Sequence, residues 1–222
     1  FVNNTWKGGG ELRFPDGRLL NDSTPLAYAL EREHAGRAVV PEDPVLAYLS
    51  DLLEDFGDEW VTKMMFHYRW YYAADRAFAQ TWIVTSRDPT MEAHARQKVM
   101  QAFNDRQVGR MALVGCTEQN KPVIEASYRF VLDTLDRHVR TLPYLLGSRP
   151  CLGDFGLYGQ LQILSVDPTP AAEMRARAPD VFCWLLRLDD ASGIEGQWID
   201  PEAPLPATVE ALLGHMAQTY LP

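Results

Sequence analysis

Apolar side chains recur every three or four positions between residues 44 and 87, and this stripe constrains the chain more than any other feature. Leu46, Leu49, Leu53, Phe56, Trp60, Met64, His67 and Tyr71 fall on one face of a long helix. Such a face must be buried against other elements, and the remaining pattern supplies more helices. Gly57 is the point where the long helix is expected to bend, and Asp88-Pro89 ends it. A second helix is predicted over 91–113, then a loop over 115–122. A third, over 123–142, carries Ile124, Tyr128, Val131, Leu132, Leu135 and Val139 on its apolar side. Beyond a loop at 143–150, helices are predicted over 152–166, over 171–188 with a break near Pro179, and over 207–220.

The first forty residues read differently. Over 11–20, Leu12 and Phe14 alternate with polar neighbours, Pro15-Asp16-Gly17 makes a turn, and Leu19-Leu20 begins a return strand. Asp22 or Ser23 can then cap a helix whose first turn holds Pro25 and whose apolar face is Leu26, Ala29 and Leu30. The prolines of VVPEDP at 39–44 mark a linker. The expected class is mainly α, with one small hairpin at the start.

Composition narrows the partners. Thirty acidic residues against 21 Lys and Arg give a net charge of −9, which repels nucleic acid and anionic lipid. With no signal pattern over residues 1–10 and no apolar run of membrane length, the expected location is cytoplasmic. Cys116, Cys151 and Cys183 show no metal-ligand spacing and read as reduced, mostly buried thiols. The five histidines form no HxxxH pair, so no metal site is expected.

Three stretches carry a resemblance. They are LRFPDGRLLNDSTPLAYALE at 12–31, YLLGSRPCLGDFGLYGQL at 144–161 and APDVFCWLLRL at 178–188. In order and spacing the set resembles the glutathione transferase superfamily. The first looks like the strand–strand–helix end of its thioredoxin-like domain, and the others look like helices of its C-terminal domain. The resemblance implies a partial thioredoxin-like segment at 1–36 and an all-helical domain at 37–222. It implies that Asp22 and Ser23 hold the γ-glutamyl end of glutathione, with Gly9 standing where the family's backbone approaches the ligand. Glutathione would be the co-substrate, with no metal. A helix N-terminus suits a carboxylate, and an acidic side chain suits the ammonium beside it. The same two residues are also ordinary caps, and from sequence both readings stand. In the second stretch Asp154 sits where a capping box needs its acid, with Cys151 in place of the usual hydroxyl residue; Asp154 is therefore read as structural.

The chain also departs from the family pattern. Only residues 1–36 precede the linker, so the region that carries the family's thiol-activating residue has no match, and Gly9-Gly10 stand where Val-Pro would be. The segment 91–116 is an extra helix between the family's two long ones.

The aromatic run at 54–78 is the corresponding place for a hydrophobic co-substrate. Trp60, His67, Tyr68 and Tyr71 are the candidate pocket residues. A histidine on such a stripe is equally a satisfied core residue, and Lys63 and Arg69 are expected to pair along the helix with Glu59 and with Asp58 or Asp75. Two functions follow from the resemblance. One is a transferase conjugating or reducing hydrophobic electrophiles with glutathione, working as a homodimer. The other is a non-catalytic transferase-like binding or scaffold module.

Overall fold

The computed structural model describes residues 11–34 and 36–221; Gly9 lies outside them. The architecture is mainly helical, with a two-stranded antiparallel sheet at the start. β1 (Glu11–Arg13) pairs with β2 (Leu19–Asn21), Leu12 facing Leu20. The turn closes through Phe14 N–H to Arg18 O at 2.9 Å, and Gly17 takes φ 90°, which glycine adopts without strain. α1 (Ser23–Glu33) follows directly.

Prolines mark where helices begin. α2 (Pro44–Asp55), α6 (Lys121–His138), α8 (Pro168–Arg177) and α9 (Pro179–Asp189) each carry proline in their first two positions, where its missing N–H costs nothing. The linker also supplies a cap, since Asp43 accepts from Val45 N–H at 2.9 Å and Leu46 N–H at 3.0 Å.

The long helix expected over 44–87 is not continuous. α2 runs into a π-helical turn, Phe56–Val61, then α3 (Thr62–Tyr71); Tyr72 is extended (φ −84°, ψ 135°), and α4 (Ala73–Arg87) starts afresh. Distant partners secure the break. Tyr72 donates its hydroxyl to Glu125 at 2.6 Å, and Asp75 accepts the N–H of Thr169 at 2.8 Å. The second expected helix is shorter than its pattern: α5 (Ala93–Val108) is followed by a 3₁₀ turn, Met111–Val114. The break at Pro179 falls as the sequence indicates, between α8 and α9.

α7 (Leu152–Leu164) is the central element, packed by α2, the π turn, α3 and α9. Its Leu157, Leu161 and Leu164 are fully buried among Leu53, Phe56, Val61 and Trp184. Both halves of its capping box are present. Cys151 N–H donates to Asp154 Oδ2 at 2.8 Å, and the weakly accepting Cys151 sulfur meets the N–H of Asp154. α10 (Ala207–Thr219) closes the body against α6, and a smaller cluster of Trp70, Ala79, Val84 and Phe103 attaches α4 and α5.

α1 leans on α2 through polar contacts: Thr24 Oγ1 donates to Glu54 at 2.6 Å and Tyr28 to Asp51 at 2.5 Å. The segment after α1 is stitched to the body by Leu152 N–H to Val39 O (2.9 Å) and Arg149 Nε to Ala38 O (2.8 Å). Cys116 and Cys151 are buried, but Cys183 is exposed, because it falls on the outer side of α9. Among the described residues, no helix is long and apolar enough to cross a membrane.

Candidate functional site

The start of α1 is the one place where a sequence-derived ligand pair meets unusual backbone. Asp22 caps the helix from φ 76°, ψ 131°, a conformation that L-residues rarely adopt. Its Oδ1 accepts from Thr24 N–H at 3.3 Å, while Ser23, the first helical residue, is exposed beside it. Across from them the π turn presents acid. Although Asp58 is exposed overall, partial desolvation of its carboxyl and the nearby Asp22 carboxylate hold it above its usual range, and a hydrogen bond from Gln160 only partly offsets this. Burial likewise raises Glu54, which Thr24 contacts. Most first-turn donors of α1 are already committed: Thr24 N–H goes to Asp22 Oδ1, Leu26 N–H to Asp22 O at 3.3 Å, and Pro25 has none, so Ser23 is the remaining polar group beside the Asp22 and Asp58 carboxylates.

The π turn explains how one stretch serves several neighbours. Phe56, Gly57, Trp60 and Val61 are buried while Asp58 and Glu59 are exposed. Wide turns of this kind recur at functional sites.

The four aromatic-helix candidates separate into two groups. Trp60 is nearly buried, its indole N–H donating to Ser127 Oγ at 2.7 Å; the Ser127 hydroxyl then donates to His215 Nε2 on α10. His67, Tyr68 and Tyr71 come together elsewhere. His67, fully buried, donates Nε2–H to Glu125 at 3.1 Å and stacks on Tyr71 at 4.9 Å, and its Nδ1 has no partner. Burial lowers its pKa, so the ring is neutral at pH 7. Tyr68 donates to Glu173 at 3.0 Å, and burial drives its pKa far upward; Tyr71 donates to Glu118 at 2.9 Å. Burial works against the charge on Glu125, yet hydrogen bonds from Tyr72 and His67 and the Lys121 ammonium at 3.8 Å hold it below the usual range. Arg129 joins the two acids, reaching Glu173 at 2.5 Å and Glu125 at 3.4 Å. The result is a polar seam tying α3 to α6 and α8.

The ion pairs expected along this helix do not form. Arg69 reaches instead to Asp167 at 2.8 Å, the residue preceding α8, and lies over Trp82. Lys63 lies over the ring of Trp60, 4.7 Å from its centre.

A groove of about 430 Å³ opens beside the start of α3, lined by Glu59, Thr62, Lys63, Phe66, Leu113, Val114 and Gly115. None of the four aromatic candidates lines it. Sequence reasoning passed it over because its two walls lie some fifty positions apart; the only local trace was Gly115, which takes φ 75°. Among the described residues, no His, Cys, Asp and Glu cluster is placed to hold a metal ion. Comparison of the chain with protein-family models, with curated proteins and with solved structures finds no match.

Proposed function

We propose that this chain is a glutathione transferase-like protein that takes the γ-glutamyl end of glutathione at the start of α1. The observation that supports this most is the strained Asp22. A non-glycine residue at φ 76° costs about 1–3 kcal/mol and persists where the conformation is used. Ser23, helped by the positive end of the α1 dipole, would hold the γ-glutamyl carboxylate, and Asp22, with Asp58 near it, the ammonium. The chemistry would be attack of the glutathione thiolate on a hydrophobic electrophile. Sulfur forms the new bond to carbon with its own electron pair, and the leaving group departs with the pair it shared. Retention on immobilised glutathione tests the reading. The unmodified chain is expected to be retained and the Asp22→Ala, Ser23→Ala double variant to run through. No retention of the unmodified chain at millimolar glutathione rejects it.

A second reading, a non-catalytic transferase-like binding module, draws on the polar seam. The hydroxyls of Tyr68, Tyr71 and Tyr72 are already donated to Glu173, Glu118 and Glu125, which leaves none of them for a thiolate.

In either reading the assembly is proposed to be a homodimer. Val45 and Tyr48 on α2 are exposed apolar residues of the kind such contacts bury. Light scattering at tens of micromolar should return twice the mass of the chain, and a monomer would reject the dimer.

A further inference from the structure

We infer that the groove between the π turn and the Met111–Val114 turn binds a small amphipathic monoanion, an aromatic or aliphatic body bearing one carboxylate or sulfonate. The inference stands apart from the glutathione reading, since neither Asp22 nor Ser23 lines this groove. Its volume of about 430 Å³ suits a small molecule. Phe66, Leu113 and Val114 supply the apolar lining, and Leu113 is 83% exposed, so it gains from any apolar cover.

Charge selects the ligand. Arg69 on α3 and Lys121 and Arg129 on α6 each have a carboxylate within 4.0 Å. Lys63 enters none of the ion pairs among the described residues, although Glu59 stands one turn before it. Its ammonium rests on the Trp60 ring and faces Gly115, where an added Cβ would lie 3.9 Å from Nζ. An ammonium held in place by a ring face, bordered by apolar walls, is complementary to an anion on an apolar body. Glu59 on the same rim opposes a second negative charge, which favours a monoanion.

The test is a fluorescence titration of the full chain with 8-anilinonaphthalene-1-sulfonate, without glutathione, beside the uncharged N-phenyl-1-naphthylamine. One saturable sulfonate site is expected. Lys63→Met should weaken it about fivefold, the scale of a single partly exposed charge pair, and leave the uncharged probe unaffected. Leu113→Asp should weaken both probes, whereas Leu19→Asp, at an exposed leucine of the hairpin, should weaken neither. Thermal melts that match the unmodified chain show the variants folded. Sulfonate binding that ignores Lys63→Met overturns the proposal, as does loss of binding with Leu19→Asp. A dimer that Leu113→Asp splits into monomers would assign the groove to a second copy and overturn it as well.

Discussion

Replacing Asp154 with alanine is expected to destabilise the fold by roughly 2–6 kcal/mol, because two buried backbone donors lose their acceptor at about 1–3 kcal/mol each. Its Oδ1 accepts from Leu145 N–H at 2.9 Å and its Oδ2 from Cys151 N–H at 2.8 Å, and the side chain is wholly buried. One carboxylate therefore holds the loop before α7 as well as the start of α7. Denaturant unfolding measures the loss, and an unchanged midpoint would show that Asp154 does not carry this junction. Burial raises the Asp154 pKa from 3.8 to about 6, against the lowering effect of the two N–H groups. The native state thus holds a proton more tightly than the unfolded chain. The associated stability is complete below about pH 4 and is lost as pH rises through about 6, up to about 3 kcal/mol for two units. Asp154→Asn removes the titrating group. The advantage of the unmodified chain over that variant should therefore be largest near pH 4 and smaller at pH 7. A pH-independent difference would mean that Asp154 ionises at its ordinary value.

A methyl group at Gly57 is expected to cost about 3 kcal/mol, at or beyond the upper end for overpacking. A Cβ there would lie 2.5 Å from the Gly156 carbonyl carbon and 2.6 Å from Leu157 N, both backbone atoms of α7. No side chain stands between that could turn aside. At Gly156 the added atom would meet Glu54 Cα and O at 2.8 Å, so Gly156→Ala should behave alike. Gly159, on the same helix, has nothing within 4 Å, and Gly159→Ala should instead stabilise by up to about 1 kcal/mol through helix propensity. Thermal or denaturant unfolding of the three variants makes the comparison. If Gly57→Ala melts like the unmodified chain, π turn and α7 are not in backbone contact. Gly57 thus matters for close approach, where its sequence context suggested only a bend.

Much of the candidate site was legible in sequence, because its parts are adjacent. Asp22 and Ser23 sit at a helix start that Pro25 and the preceding strand already mark. What was not legible is the acid facing them. Asp58 feels the charge of Asp22 through the packing of α1 on the end of α2, a tertiary contact that no local pattern encodes. The aromatic run could be placed on a helix but not sorted. Whether Tyr68 lines a cleft or donates to an acid depends on Glu173, 105 positions away.

Sequence by itself determined what local chemistry dictates: the hairpin closed at Pro15-Asp16-Gly17, helices opened by prolines, the break at Pro179 and the acid of the α7 cap. These depend on backbone angles and hydrogen bonds among residues within four positions of one another. Tertiary structure alone decided the break at Tyr72, the pairing of Arg69 with Asp167 instead of a helical neighbour, the contact of Gly57 with Gly156, and the groove that joins Lys63 to Leu113. Helix propensity favours continuing through Tyr72 by only tenths of a kcal/mol per residue. A half-buried tyrosine hydroxyl that finds Glu125, or an Asp75 that finds the start of α8, outweighs it.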